Sequence, residues 1–385
     1  MTATRLLGKV SRALGNSYHD NWGVCQENKK ANTIILSTRF LSPRLAYASA
    51  TIRNKVQHET LKSLADNMEN ILQKSRSQNT IKKYQCYFNK WSNWCQLFTE
   101  VSAIPAQSSH VLLFMVSLIQ SDESFSVIES VFYAIKHFHN LGGLPDPTEA
   151  VLVSYVLDAA QRICHRPKKK KQPIVIEHIR KIHDSLTEKG MSLLHLRNFV
   201  MMLLCFTGFL RYDEAANLKL EDIVFQDSFM KIFIEKSKTD QFREGAWVFI
   251  AKVDSDICPT KILRKYITEA NLVNPNDYLF RAMTYFKSKN MHFLRKKNTP
   301  ISYSTMRSTL LSYLKDLGLE EKLFGMHSLR RGGATSAANN GVNDRLFQKH
   351  GRWKSVGAKD GYVEDNLNSL LFVSRSLGFE QSFLR

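Results

Sequence analysis

The sequence predicts a mainly α protein with a small antiparallel β-sheet, built as two domains. Apolar residues recur at three- and four-residue steps over most of the chain, which is typical of amphipathic helices. Aromatic and β-branched residues cluster in two short runs, Phe229–Ile234 and Trp247–Ile250, which predict strands. At 385 residues, of which 43% are hydrophobic, the chain is long enough to build more than one core.

The first domain is predicted to be a bundle of four amphipathic helices over residues 58–165. Pro105 and the segment from Gly142 to Pro145 interrupt the helical pattern and separate neighbouring helices. Residues 1–57 are rich in Arg, Ser and Asn and poor in acidic residues, which predicts a poorly ordered leader. An organelle transit peptide is the alternative for this leader.

Residues 166–173, with the sequence RPKKKKQP, are predicted to form an extended and exposed linker. Consecutive lysines between prolines cannot join a packed element. The same lysines are candidates for a nuclear import signal or for contacts to DNA phosphates. Two lysines of the first bundle helix are further candidates, with a solvated surface as the alternative. The residues assigned to DNA binding are Lys82, Lys83, Lys168, Lys169, Lys170 and Lys171.

The second domain, residues 174–385, is predicted to contain a central buried helix and the small sheet. Residues 193–206 are apolar nearly all round, which indicates a helix that is covered on every side. The two strands form a hairpin whose turn is KSKTDQFREG, residues 236–245. From Ile262 to the end, the pattern predicts helices alone.

The charge balance predicts a polyanionic partner. Lys and Arg number 54 against 35 Asp and Glu, which gives a net charge of +19. Such an excess most often indicates nucleic acid, and non-specific binding of RNA or acidic proteins is the alternative. Six scattered cysteines without a CxxC pair predict reduced thiols rather than disulfides or a zinc site. No apolar run predicts a membrane span, and no ligand spacing or phosphate-binding loop predicts a metal, another cofactor or ATP.

Six separated residues suit attack on a phosphodiester without a metal. Such an attack needs a nucleophile, cations around the phosphate oxygens and an acid for the leaving oxygen. Arg211 follows a helix break, and Glu214 lies one helical turn later, where it would orient the guanidinium. Each residue alone has a simple structural explanation, and only the ordered set is informative. The set is Arg211, Lys238, His327, Arg330, Trp353 and Tyr362.

In this order and spacing, the chain resembles the tyrosine recombinases of the phage integrase superfamily. TGFLRYDEAANLKLEDI resembles their first box, with one residue more before Arg211, and HSLRRGGATSAANNGV resembles the second. GRW is followed nine residues later by the tyrosine of GYV, as in the family. His350 lies twelve residues before Tyr362 and does not fit that spacing, so the His/Trp position is assigned to Trp353.

The resemblance implies a two-domain clamp around double-stranded DNA, with an N-terminal core-binding bundle and a C-terminal catalytic domain. It implies a site-specific recombinase or integrase that works through a 3′-phosphotyrosine without metal or ATP. Tyr362 would be the nucleophile, and Arg211 and Arg330 would neutralise the non-bridging oxygens. Lys238 would protonate the leaving oxygen. His327 would move the tyrosine proton or hold the phosphate, and Trp353 would donate its indole N–H.

The resemblance also implies an assembly. Leu367, Leu370, Leu371 and Leu377 fall at near-helical steps, and such tails dock on a neighbouring protomer in the family. A homo-tetramer is therefore expected in the synaptic complex, with a monomer free in solution. Packing of the tail on its own domain is the alternative.

Two other functions stay open at this point. One is a domesticated DNA-binding protein of the same fold without catalysis, and the other is a type IB topoisomerase-like enzyme. The lysine linker and the HGRW motif, residues 350–353, resemble those of eukaryotic mobile-element recombinases of the Crypton or DIRS-like kind. A eukaryotic protein of this kind would act in the nucleus, and a bacterial one in the cytoplasm or nucleoid.

Overall fold

The computed structural model describes residues 52–167, 169–238, 240 and 244–377. The chain divides into two compact units, Met1–Lys168 and Lys169–Arg385, and the division lies inside the predicted linker. Residues 1–51, which make up most of the predicted leader, lie outside the described residues, as does Lys168. Among the helices that are described, none is long and apolar enough to cross a membrane.

The first unit is helical, and its helices pack around a cluster of large aromatic side chains. Trp91 is fully buried, and its ring lies 5.6 Å from that of Trp94 and 5.2 Å from that of Phe114. The side chain of Ser77 accepts a hydrogen bond from the Thr80 N–H and begins the helix that contributes both tryptophans. The helices are α1 (Glu59–Leu72), α2 (Gln78–Cys95), α3 (Ser108–Gln120), α4 (Phe125–Leu141) and α5 (Val151–Cys164). Helices α2 to α5 are the four that the apolar periodicity predicts.

In its described residues, the second unit combines helices with two small antiparallel sheets, which confirms the predicted fold class. The helices are α6 (Ile176–Glu188), α7 (Leu193–Thr207), α8 (Tyr212–Ala216), α9 (Pro259–Glu269), α10 (Tyr303–Asp316), α11 (Met326–Asn339), α12 (Asp344–Gly351), α13 (Val356–Asp360) and α14 (Leu367–Arg375). The strands are β1 (Ile223–Phe225), β2 (Phe229–Ile234), β3 (Ala246–Ala251), β4 (Met283–Phe286) and β5 (Met291–Leu294). Helix α7 is the central one, as predicted, because every residue from Leu196 to Phe206 is buried.

The sheets differ from the prediction in two ways. A short first strand, β1, pairs with β2, so the predicted hairpin is part of a three-stranded sheet in the order β1-β2-β3. The prediction of helices alone after Ile262 is wrong, since β4 and β5 form a second hairpin with Met283 opposite Leu294 and Phe286 opposite Met291. Lysines and an asparagine separate the aromatic residues of this hairpin, so its sequence lacks the continuous β-branched run that marks a strand.

Two glycines bring α11 into backbone contact with its neighbours. A Cβ added to Gly333 would lie 2.0 Å from the carbonyl oxygen of Phe206, and one added to Gly332 would lie 1.8 Å from that of Ile174. The Ile174 N–H donates to the carbonyl of Ser328 at 3.0 Å, so the end of the predicted linker is tied to the second unit. This close packing places the first turns of α11 beside the end of α7, where Arg211 follows.

Candidate active site

A single buried carboxylate, that of Glu214, joins three guanidinium groups. Its Oε1 accepts a hydrogen bond from Arg211 at 2.6 Å, and its Oε2 accepts one from Arg352 at 2.8 Å. Arg330 Nη1 lies 3.7 Å from the same Oε2. Burial alone would raise the pKa of Glu214, but Arg352, the Arg211 backbone N–H and the other guanidiniums hold that pKa below its usual range. Glu214 therefore stays ionised and fixes the spacing of the three cations.

Arg211 is the N-cap residue of α8 and keeps part of its guanidinium accessible. Its side chain is 12% exposed, while its backbone N–H donates to Glu214 Oε2 at 2.9 Å. The ion pair that the RxxE spacing predicts is thus present, and the same glutamate also caps the helix. Because Glu214 occupies only one edge of the Arg211 guanidinium, the remaining N–H groups of this side chain can donate to another acceptor.

The residue by which this chain exceeds the family's first box lies in a tight turn. Phe209 adopts a left-handed backbone conformation with φ of 48°, between the end of α7 and Arg211. Its carbonyl oxygen accepts hydrogen bonds from Arg330 and, at 3.1 Å, from Arg352. Its ring lies edge-on to that of His350, with the centroids 4.6 Å apart. Packing and hydrogen bonds therefore hold the longer turn in one conformation.

Arg330 is fully buried in α11 and acts partly as a structural cation. One Nη donates to the carbonyl of Phe209, and the other donates to the carbonyl of Gly351 at 2.6 Å. Its Nε is buried without a hydrogen-bond partner among the described residues. Burial, followed by the charge of Arg211, lowers the pKa of Arg330 to about 10, so the group stays protonated at neutral pH.

Tyr362 lies against the same guanidinium. The Arg330 Cζ is 4.9 Å from the centroid of the Tyr362 ring and 5.1 Å from that of Trp353. The two aromatic rings are 5.5 Å apart. The indole Nε1 of Trp353 is buried and has no hydrogen-bond partner within the described part of the chain. The predicted nucleophile and two of its predicted partners therefore meet within one protomer.

Short contacts hold the segment that carries Tyr362 in place. The hydroxyl of Thr335 on α11 donates to the Tyr362 carbonyl at 3.3 Å and accepts from the Glu364 N–H at 3.1 Å. Lys359 of α13 is buried and pairs with Asp344 at the start of α12. The position of the tyrosine thus depends on α11, α12 and α13 together.

His327 and Lys238 lie within charge range of this centre. His327 precedes Arg330 by one helical turn and keeps an open face. Neighbouring protein atoms lower the pKa of His327 by partial desolvation, and the charges of Arg211, Arg330 and Lys238 lower it further. Lys238 is exposed in the turn between β2 and β3. His327 is therefore mainly neutral at pH 7.

The carboxylate of Asp240 shapes the turn that carries Lys238. It accepts the backbone N–H groups of Glu244 at 3.1 Å and Gly245 at 2.9 Å. Gly245 has a φ of 72°, and a Cβ there would lie 2.5 Å from the ring of Phe233. Hydrogen bonds and close packing therefore fix the backbone of Glu244 and Gly245, the two residues that precede β3.

Sequence reasoning missed Arg352. This residue adopts a left-handed conformation with φ of 56°, and its guanidinium donates to the carbonyls of Gly208 at 3.3 Å and His350 at 3.1 Å, besides Glu214. The Nε2 of His350 lies 2.9 Å from the Thr207 carbonyl oxygen. The sequence signal that could have identified Arg352 is its place as a charged residue between Gly351 and Trp353.

The residues assigned to DNA binding are exposed where the structure describes them. Lys82 and Lys83 lie on α2, and the Lys83 ammonium is 5.8 Å from the Tyr87 ring centroid. Lys169 and Lys170 are exposed, whereas Lys171 donates to the carbonyl of Lys322 in the second unit. In the described ranges, no group of three or more His, Cys, Asp or Glu side chains is arranged to hold a metal ion, and the cysteines there are free.

Known proteins match this chain over most of its length. Residues 176–368 match the phage integrase family. The chain is 29% identical over 297 residues to an integrase/recombinase XerD homolog of Selenomonas ruminantium, which covers 76% of this chain and 83% of that protein. It is 23% identical over 274 residues to the tyrosine recombinase XerA of Pyrococcus horikoshii, and this match covers 71% of this chain and 79% of that protein. The crystal structure of the XerH site-specific recombinase on palindromic difH is similar in fold, with a TM-score of 0.55, 18% identity, and coverage of 92% of this chain and 98% of that one.

Proposed function

The chain belongs to the phage integrase family, and on that premise we propose that Tyr362 cleaves DNA by attacking a backbone phosphate. The protein is a tyrosine-type DNA strand transferase, and its activity is site-specific DNA recombination. Its substrate is double-stranded DNA. We assign the chemistry of cleavage to Arg211, Lys238, His327, Arg330, Trp353 and Tyr362.

The proposed step exchanges one phosphoester for another. The Tyr362 oxygen forms a bond to phosphorus, the bond from phosphorus to the 5′-oxygen breaks, and a 3′-phosphotyrosine remains. His327, which is mainly neutral, takes the phenolic proton, and Lys238 gives a proton to the leaving oxygen. Because one ester replaces another, the reverse attack by a 5′-hydroxyl rejoins a strand without ATP.

Cations and N–H donors stabilise the charge on the non-bridging oxygens. Arg211 and Arg330 are held at a fixed spacing by Glu214, so their charges are already positioned relative to each other before charge develops on the phosphate. The Nε of Arg330 and the Nε1 of Trp353 are two buried donors without partners among the described residues. Buried donors are normally paired, so we assign them to oxygens of the phosphate.

The observation that carries the proposal is the contact of the Tyr362 ring with the Arg330 guanidinium at 4.9 Å. It supports cleavage by a tyrosine from the same protomer that supplies the cations. A solvent-facing tyrosine far from Arg330 would have required delivery from another subunit.

The test uses a duplex with a nick close to the scissile phosphate, so that a short fragment is lost after cleavage and the covalent complex accumulates. Tyr362→Phe should form no adduct and should bind the duplex with unchanged Kd. Tyr303→Phe is the matched control, because Tyr303 is a half-exposed tyrosine of the same unit, and it should form the adduct normally. An adduct that persists in Tyr362→Phe would assign the nucleophile to another residue.

We also propose assembly into a homo-tetramer on DNA. Helix α14 contains no buried residue, and its Leu367, Leu370 and Phe372 are at least 60% exposed. This exposure favours docking on a second protomer over packing on its own domain. A cavity of about 240 Å³ beside α13, lined in part by Val342 and Phe347, is the proposed receptor for such a tail.

The remaining assignments concern the biological setting. We propose that the bundle of the first unit and the second unit both contact the duplex, with Lys82, Lys83 and the linker lysines on phosphates. We further propose that the chain serves a mobile element and, in a eukaryotic host, acts in the nucleus. The exposed Lys169 and Lys170 support nuclear import, which a fluorescent fusion with and without these lysines would test.

A further inference from the structure

The hairpin formed by β4 and β5 lies in a stretch of the second unit whose charged residues are all basic. Between Asp277 and Asp316 the chain contains no acidic residue. Eight basic residues occupy this stretch, and they are Arg281, Lys287, Lys289, Arg295, Lys296, Lys297, Arg307 and Lys315. A segment of this kind repels cations and other basic surfaces and attracts a polyanion.

The tip of the hairpin is an ordered turn that displays two lysines. Lys287 and Lys289 are exposed, and Asn290 closes the turn in a left-handed conformation with φ of 51°. The hydroxyl of Tyr285 donates to the Asn290 side chain at 2.6 Å. The lysines therefore project from a shaped turn.

The face of the hairpin that carries Phe286 combines apolar groups with this charge. Phe286 and its cross-strand partner Met291 are 49% and 56% exposed. The ring of Phe293 lies beside that of Phe286, with the centroids 5.3 Å apart, and the Lys289 ammonium is 5.5 Å from the Phe293 centroid. Exposed rings interleaved with lysines are typical of surfaces that bind nucleic acid.

The basic groups have few internal partners. Arg281 pairs with Asp277 at 2.9 Å. Among the described residues, by contrast, no carboxylate lies within 4.0 Å of the ammonium groups of Lys287, Lys289, Lys296 or Lys297. These four charges are therefore available to an external anion.

The base of the hairpin is connected to the active site. The Ala282 N–H donates to the Thr299 carbonyl at 2.9 Å, and the next residues lead to Ile301. The hydroxyl of Tyr212, the residue after Arg211, donates to the Ile301 carbonyl. A ligand bound at the hairpin would thus lie on a structure that is hydrogen-bonded to the residue after Arg211.

We propose that the β4–β5 hairpin, with Arg295–Lys297, is a second DNA-binding site that holds backbone phosphates next to the cleavage site. The identity of the polyanion as duplex DNA rests on the proposed function. The lysines contact phosphates, and the exposed face of Phe286 and Met291 lies against the groove wall. The site adds affinity without adding a catalytic group.

The test removes four charges at once and follows the salt dependence of binding. Lys287→Gln, Lys289→Gln, Lys296→Gln and Lys297→Gln are combined in one variant. The control combines Lys189→Gln, Lys252→Gln, Lys261→Gln and Lys265→Gln, which lowers the charge of the same unit equally at other exposed positions. Each lost phosphate contact reduces the steepness with which the logarithm of the binding constant falls with the logarithm of salt concentration by about 0.9. The magnitude of this slope should therefore fall by about 2 to 4 in the hairpin variant and by less than about 1 in the control.

Two outcomes would overturn the inference. One is an unchanged slope in the hairpin variant, and the other is an equal loss in the control. If the slope is unchanged but the variant no longer self-associates, the hairpin binds a second copy of the chain instead of DNA. Circular dichroism and thermal unfolding establish that both variants are folded.

The adduct assay separates this inference from the proposed function. At saturating protein, wild type and both variants should form the Tyr362 adduct, because the hairpin contributes binding alone. Adduct formation with an unaffected slope would contradict the hairpin site and leave the catalytic proposal standing. A reduced slope with no adduct in the wild type would contradict the catalytic proposal and leave the hairpin site standing.

Discussion

The carboxylate of Glu214 accepts a hydrogen bond from Arg352 at 2.8 Å across 138 positions of the chain. This contact links the element that follows α7 to the one that precedes Trp353, and it makes Glu214 the common partner of three guanidiniums. A carboxylate shared in this way sets the distance between Arg211 and Arg330. The cations that we assign to the scissile phosphate are therefore positioned by a residue that does not touch it.

Arg352→Gly is expected to impair cleavage even though it relieves backbone strain. Glycine would remove a left-handed conformation that costs of order 1 kcal/mol, but it would also break a buried ion pair at a cost of about 3 to 5 kcal/mol. Thermal unfolding should show a net loss of stability, and single-turnover adduct formation should be slower. Arg352→Lys should recover part of the rate, because it restores one charge near Glu214.

The pH dependence of the Arg352→Gly variant shows whether Arg352 acts through its charge on Glu214 or only by filling space. The folded-state pKa of Glu214 is lowered, so its stabilising contribution is complete above its ordinary pKa of 4.5 and is lost as the pH falls through the folded value. Removing Arg352 raises that pKa, so the acid limit of activity and stability should move to higher pH. A variant with an unchanged acid limit and the wild-type rate would contradict the role assigned to Arg352.

Arg330→Lys is expected to lose most activity. The single nitrogen of a lysine cannot occupy the separate positions of the two Nη atoms, which donate to the Phe209 and Gly351 carbonyls, and of the Nε that we assign to a phosphate oxygen. Single-turnover cleavage should fall by about 10²- to 10³-fold, the usual effect of removing one transition-state donor. Arg331→Lys is the control on the same helix, since Arg331 pairs with Glu364 at 3.0 Å. Equal rates in the two variants would remove Arg330 from the reaction.

Cleavage is expected to persist below the ordinary pKa of histidine. The pKa of His327 is lowered from 6.5, so at pH 7 the ring is mainly neutral and accepts the phenolic proton. Falling pH protonates the ring and slows cleavage, so the acid limb of the kcat/KM profile should have its midpoint below the ordinary histidine pKa of 6.5. A kcat/KM that rises between pH 7 and pH 6 would require a cationic His327 instead.

An NMR titration of His327 provides a direct check on the same cause. Lys238 contributes to the lowered pKa, so Lys238→Gln should raise the midpoint of the His327 ring signals. Lys252→Gln removes an exposed charge that is not among the causes of the shift and serves as the control. A midpoint that is the same in both variants would place Lys238 outside the charge range of His327.

Changes to the tail should separate cleavage from assembly. Leu370→Asp with Leu371→Asp would place charges on the exposed apolar side of α14. We expect normal adduct formation on a single site and loss of the synaptic complex in native gels. Asn368→Asp with Ser369→Asp adds the same charge at exposed polar positions of the helix and should assemble normally. Synapsis by the leucine variant would contradict docking through α14.

Local patterns predicted the parts of the site that depend on short spacing. His327 and Arg330 lie one turn apart on α11, and helix geometry alone puts them on one side. The pairing of Arg211 with Glu214 follows from the same rule. The wrong prediction after Ile262 also has a local cause, since β4 and β5 are short, contain few β-branched residues and are separated by lysines and an asparagine.

By itself, the sequence determined the fold class, the buried character of α7 and the ordered set from Arg211 to Tyr362, because residue type and short spacing carry that information. Only the tertiary structure decided that Glu214 is shared with Arg352, that Phe209 turns through a positive φ, and that Tyr362 lies on Arg330. The physical reason is that the two side-chain contacts join residues far apart in the chain, and the Phe209 turn is held by hydrogen bonds from the distant Arg330 and Arg352. They depend on close packing of α11 against α7, which no periodicity within either helix encodes.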